Sequence, residues 1–60
     1  MVTFKHFIEA RADGIYGRIM VLDGYKALFT EKTSIARKTK EDAEHDLLIL
    51  EQDIREQNNI

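Results

Sequence analysis

Basic and aromatic side chains recur through the first half of the chain, in a pattern suited to binding. Lys and Arg neutralise phosphates, and aromatic rings stack on bases or fill a protein interface. The predicted binding residues are Lys5, Phe7, Arg11, Tyr16, Arg18, Met20, Tyr25, Phe29, Arg37 and Lys38. The residue types alone leave both nucleic acid and protein open as partners.

Charge is divided unevenly along the chain, whose formal net charge is −2. Residues 1–40 hold eight Lys or Arg against four acids, a net +4, whereas residues 41–60 hold one Arg against seven acids, a net −6. A positive field near the first segment favours an anionic partner such as DNA. The acidic second segment is a solvated face or a docking surface for a basic partner.

Catalytic and metal chemistry have little basis in this sequence. It has no Cys, and its two His residues, His6 and His45, cannot complete a closed zinc site. His6 is predicted to pack on the core side of a strand, and no nucleophile stands at a recognisable spacing from a base. We therefore expect no catalytic residue, no metal site and no cofactor.

Two Asp-Gly dipeptides separate three stretches rich in β-branched and aromatic residues. Asp-Gly favours two-residue hairpin turns, so the pattern predicts a three-stranded antiparallel meander. The strands are expected at about residues 2–11, 15–22 and 25–30. With Asp13-Gly14 and Asp23-Gly24 as the loops, Ile8 faces Ile19 in the first hairpin.

This register predicts which side of the sheet each residue occupies, because cross-strand partners share a side. The core side comprises Phe4, His6, Ile8, Ala10, Ile15, Gly17, Ile19, Val21 and Leu28. The other side comprises Lys5, Phe7, Glu9, Arg11, Tyr16, Arg18, Met20, Leu22, Tyr25, Ala27 and Phe29. The second side is too aromatic for ordinary solvent surface and is the expected working face.

A helix is predicted over about residues 40–57, with Thr39 as its N-cap and acids in its first turn. An apolar stripe of Ala43, Leu47, Leu50 and Ile54 has helical spacing. Glu51 and Arg55 form an i, i+4 pair. The connector before the helix is ambiguous, because Thr33 or Ser34 could also start a short helix.

These elements indicate an α+β fold, a three-stranded antiparallel meander packed on one C-terminal amphipathic helix, in one domain over residues 1–60. A chain this small is marginally stable alone, so we expect a homodimer or another partner. The longest apolar run is four residues, which predicts no membrane span and a cytoplasmic protein. Whether the helix packs within its own chain or is swapped in a dimer stays open.

The chain resembles the AP2-type DNA-binding domain and the arm-type-site binding domain of phage and transposon tyrosine-recombinase integrases. The matching residues are Asp13-Gly14-Ile15-Tyr16, Asp23-Gly24, Phe29 and the helix start from Thr39 to Glu44. The resemblance implies a sheet that enters the DNA major groove, with contacts from Arg11, Tyr16, Arg18 and Lys26. It also implies a phage or mobile element as the source, and hence the host cytoplasm.

The function expected from the sequence is a small non-enzymatic binding protein that contacts DNA through the basic and aromatic side of its sheet. The alternative is a protein-interaction module, homodimeric or inhibiting a host protein. It would act through the same aromatic side or through the acidic helix.

Overall fold

The computed structural model describes residues 1–59 and confirms the α+β class. Strands β1 (Val2–Arg11), β2 (Gly14–Asp23) and β3 (Lys26–Lys32) form one antiparallel sheet in the order β1-β2-β3. Helix α1 (Lys40–Asn58) packs on β2 and β1. We call the sheet surface under α1 the helix side and the opposite surface the free face.

The first hairpin differs from the predicted register by two residues. Its loop is Ala12-Asp13, Arg11 pairs with Gly14, and His6 rather than Ile8 lies opposite Ile19. Asp13 does not adopt the positive φ that an Asp-Gly type I′ turn requires, and Gly14 instead has a φ of 148°. A shift of two residues keeps every side chain on its predicted side, because side chains alternate with period two.

The second hairpin is also shifted, and here the pairing is broken by a β-bulge. Its loop is Gly24-Tyr25, with Gly24 at a φ of 63°, and Asp23 pairs with Lys26. Leu22 pairs with Ala27, but Val21 pairs with Phe29, so Leu28 is the extra residue. A one-residue insertion reverses the side of every later residue in the strand. The prediction that Phe29 lies on the face away from the helix is therefore wrong.

The core forms where α1 crosses the middle of the sheet. Ile19 and Val21 from β2 meet Leu47 and Ile54 from α1, and all four are almost fully buried. Gly17 lies directly under Leu47, where a larger side chain would not fit. The predicted stripe is confirmed, with Ala43 also buried and Leu50 half-buried.

Helix α1 begins and ends at the residues that its caps predict. The Thr39 hydroxyl accepts a hydrogen bond from the Asp42 backbone N–H at 3.3 Å. Asn59 ends the helix in the left-handed conformation, and its N–H bonds the Arg55 carbonyl. The predicted pair of Glu51 and Arg55 is present at 3.1 Å.

The connector between β3 and α1 forms no helix, so neither Thr33 nor Ser34 starts one. Thr33 is buried instead and completes the edge of the sheet. Its N–H donates to the Gly17 carbonyl at 2.9 Å, and its hydroxyl accepts from the Gly17 N–H at 3.0 Å. Further along, Arg37 and Ile15 exchange two backbone hydrogen bonds of 2.8 Å, which fix the approach to α1.

Candidate binding face on the exposed side of the sheet

The free face collects side chains from all three strands, and none of residues 33–59 forms a second layer over it. Register places these residues on it: Thr3, Lys5, Phe7, Glu9 and Arg11 from β1, Tyr16, Arg18, Met20 and Leu22 from β2, and Ala27, Thr30 and Lys32 from β3. Four of these are cations and one is an acid, a net charge of +3.

Glu9 organises two of the four cations. Its Oε2 accepts hydrogen bonds from Arg11 Nε at 3.0 Å and from an Arg18 terminal nitrogen at 3.3 Å. The hydrogen bond from Arg11, reinforced by the one from Arg18, holds the pKa of Glu9 below its ordinary value of 4.5. These two guanidinium groups are therefore held in place, but part of their charge is balanced.

Lys5 and Lys32 have no carboxylate partner among the described residues. Lys5 lies opposite Met20, and Lys32 lies opposite Arg18. Phe7, also opposite Arg18, is exposed next to Lys5 on β1. Lys5, Phe7 and Lys32 thus present two cations outside salt bridges and an accessible ring.

Tyr16 is buried on this face, with only 7% of its surface exposed, so it offers no ring for stacking. The Lys32 ammonium lies 3.8 Å from its ring centroid, and the Arg11 guanidinium lies 5.8 Å away on this crowded surface. The Tyr16 hydroxyl donates to Asp13 at 2.6 Å, and this bond raises the pKa of Tyr16 above its ordinary value of 10.0. Tyr16 supports the two cations rather than presenting itself to a ligand.

The other predicted binding residues are scattered. Tyr25 is fully exposed at the tip of the second hairpin, Met20 is half-buried, and Lys38 is exposed in the connector. Phe29 lies on the helix side, because of the bulge, and so does Lys26, which pairs with Asp23. The structure therefore assembles Lys5, Phe7, Arg11 and Arg18 as predicted and adds Lys32, which the sequence pattern did not single out.

Arg37 is paired with Asp46 on α1, so it does not form a free cationic cluster with Lys38. Its Nε and a terminal nitrogen donate to the Asp46 carboxylate at 2.6 and 3.1 Å. Together with the Ile15 bridge, this pair joins the connector, the sheet and α1. Its hydrogen bond lowers the pKa of Asp46 from the ordinary 3.8.

Acid should destabilise the fold through this pair. A carboxyl whose pKa is lower in the folded chain stabilises it above the ordinary value, and this stabilisation is lost as the pH falls through the folded-state pKa. We expect the urea concentration at the unfolding midpoint to decrease once the pH is lowered past about 4. The Asp46→Asn variant should be less stable at neutral pH, and its midpoint should change less with pH in the acid range. Asp53→Asn, at a carboxylate without a described cationic partner, is the control. An Asp46→Asn profile as steep as that of the unmodified protein would contradict this role.

The structure places His6 in contact with α1. His6 lies on the helix side at the β1 edge, where its Nε2 is 2.6 Å from Glu51 Oε1. Within residues 1–59 no cluster of three or more His, Asp or Glu is arranged to hold a metal ion. The same part of the chain contains no helix long and apolar enough to cross a membrane.

Comparison of the chain with protein-family models, with curated proteins and with solved structures found no match.

Proposed function

We propose that this chain is a small non-enzymatic module that binds DNA through the free face. The proposal rests chiefly on the placement of Lys5, Arg11, Arg18 and Lys32 on one uncovered sheet surface. The acids of α1 lie behind that surface. The net charge of −2 is therefore the sum of a positive sheet segment and a negative helix segment. An anionic polymer is attracted to one side and repelled by the other.

The dimensions of the sheet support duplex DNA as the ligand. Three strands spaced about 4.8 Å apart make a ribbon about 10 Å across, which suits a major groove about 12 Å wide. Lys5 on β1 and Lys32 on β3 lie on the two outer strands, so they would face the phosphates on either wall. Arg18 lies between them on β2, where a base edge would be met, and Phe7 lies next to Lys5 on β1, where its ring would contact a thymine methyl group.

The resemblance to AP2-type and integrase arm-type-site domains supports the same orientation, with the sheet toward DNA and the helix behind. Arg11 and Arg18 keep the expected placement. Tyr16 would act by positioning Lys32 and Arg11, and Lys26 would not contribute from the helix side. A phage or mobile-element source and action in the cytoplasm belong to this proposal.

Binding to duplex DNA should depend steeply on salt. If the four cations of the free face each neutralise one phosphate, log K falls against log salt with a slope of about −3.6, and affinity drops roughly 100-fold between about 50 and 200 mM. Fluorescence anisotropy with a labelled duplex measures this directly. No binding at the lowest salt, or an affinity that does not respond to salt, would reject the proposal.

A protein-binding role is the second candidate, and a different surface favours it. Large apolar side chains are exposed beside β3 on the helix side, where α1 does not reach. This surface is independent of the free face, so the two roles are compatible.

A further inference from the structure

The uncovered half of the sheet lies at β3. All seven residues of β3 are exposed, and no Cα of α1 comes within 8 Å of a β3 Cα. The bulge turns Phe29 to the helix side together with its neighbour Leu28, and Ile35 and Ile49 lie along the adjoining connector and helix. These four side chains are 36% to 57% exposed. An open groove of about 470 Å³ lies next to Ile35 and Ile49; Leu50 is its third apolar lining residue, and the other lining residues are polar or charged.

Among residues 1–59, no backbone group bonds the outer edge of β3. The Thr33 N–H bonds Gly17 on β2, and antiparallel strands alternate inward and outward groups. Glu31 and Phe29 therefore also face β2, while Thr30 and Lys32 direct their N–H and C=O groups outward. Such an edge is a template for another strand.

The opposite edge of the sheet is better protected. In β1 the alternate residues Phe4, His6 and Ile8 point their backbone groups outward, and their side chains lie under α1. The Arg55 guanidinium lies 4.3 Å from the Phe4 ring centroid, and His6 is bonded to Glu51. Side chains of α1 therefore overhang β1 and leave β3 as the open edge.

We infer that β3 pairs with β3 of a second copy of this chain, antiparallel about a two-fold axis through Thr30, to form a continuous six-stranded sheet. Charge and the bulge together favour this register. An axis through Glu31 or Lys32 would place that charge opposite itself, and an axis through Phe29 would depend on irregular pairing at the bulge residue Leu28. The Thr30 axis pairs the regular segment beyond the bulge with itself and places Phe29 opposite Glu31, with no like charges facing.

The surface area is consistent with a missing partner. The chain exposes 4423 Å², whereas a compact monomer of its 7.0 kDa mass is expected to expose about 4,000 Å². The excess is roughly half of the ~800 Å² that each partner buries in a standard interface. The two-fold axis would stand perpendicular to the sheet. It would therefore bring the Leu28 and Phe29 pairs of both copies together between the two helices and join the two free faces into one basic surface.

The chain contains no Cys, so single cysteines can test this register without background. Under mild oxidation Thr30→Cys should form a covalent dimer, because residues facing each other at the axis have Cα atoms about 5.5 Å apart. Glu31→Cys, displaced from the axis, and Thr3→Cys, on β1, should remain largely monomeric. Preferential cross-linking through Glu31→Cys or Thr3→Cys would overturn the Thr30 register or the choice of edge.

Sizing by light scattering provides the second test. The unmodified chain should have about twice its 7.0 kDa mass at high micromolar concentration, and Thr30→Lys should restore the monomer mass by placing like charges at the axis. Thr30 is exposed, so the helical circular dichroism should be retained. Matched Thr3→Lys should remain dimeric. A monomeric unmodified chain, or a dimer unaffected by Thr30→Lys, would reject the inference. No DNA is present in either test, so the result is separate from that for DNA binding.

Discussion

Gly17→Ala should destabilise the fold severely, although it adds only one methyl group. The new Cβ would lie 2.6 and 2.8 Å from the two methyl carbons of Leu47, and closer still to Leu47 Cγ. Leu47 is 1% exposed and packs against Ile19 and Ile54, so it has no free space to move into. Overpacking of this kind costs about 1–3 kcal/mol. The whole domain is expected to be stable by only about 3–9 kcal/mol.

Urea unfolding monitored by circular dichroism would measure this loss of stability. A double-mutant cycle that combines Gly17→Ala with Leu47→Ala tests its cause. Leu47→Ala alone should cost about 2–5 kcal/mol through the cavity it leaves. The double variant should be more stable than the sum of the two losses predicts, because each change relieves the defect of the other. Gly24→Ala, at an open turn position with positive φ, is the control for the backbone cost of replacing a glycine. Additive losses would show that Gly17 and Leu47 are not in contact.

Replacing Lys5 and Lys32 together should produce the largest loss of DNA affinity available on the free face. These two cations lack carboxylate partners among the described residues, so no salt bridge has to break before they bind phosphate. Lys5→Gln with Lys32→Gln should make the salt slope shallower by about two and weaken binding to all duplex sequences alike. Glutamine keeps part of the stem that covers the Tyr16 ring.

The matched control is Lys26→Gln with Lys40→Gln, which removes the same charge away from the free face. Lys26 lies on the helix side, and Lys40 pairs with Glu44 at 3.7 Å. This control should leave the salt slope close to that of the unmodified chain. If both double variants lost the same DNA affinity, only the overall charge would matter. That result would contradict the free face as the binding surface.

The elements themselves could be predicted because their signals are local. Alternation of side chains, the two Asp-Gly dipeptides and the Thr39 cap act over a few residues. The helical stripe of Ala43, Leu47 and Ile54 acts over three turns. Together they indicated the α+β class and the side of the sheet that α1 covers. Both hairpin registers were displaced by two residues, and the sides of β1 and β2 survived because the displacement was even, whereas the bulge reversed the sides in β3 from Phe29 onward.

The candidate binding face was predictable only in part. Lys5, Phe7, Arg11 and Arg18 alternate along β1 and β2, so their common side follows from period two. Lys32 lies beyond the bulge in β3, and sequence gives no signal for an inserted residue that has to pack against its neighbours. The same insertion removed Phe29 from this face.

The amino-acid pattern specifies which segments form strands and helix, which side chains of β1 and β2 share a face, and how charge divides between the two halves. The contacts that those side chains make depend on how the segments pack together. That packing buried Tyr16 beneath Lys32, engaged Arg37 with Asp46, and placed Gly17 under Leu47. Each outcome depends on atoms from segments distant in the chain meeting at a few ångströms, and no local pattern encodes that meeting.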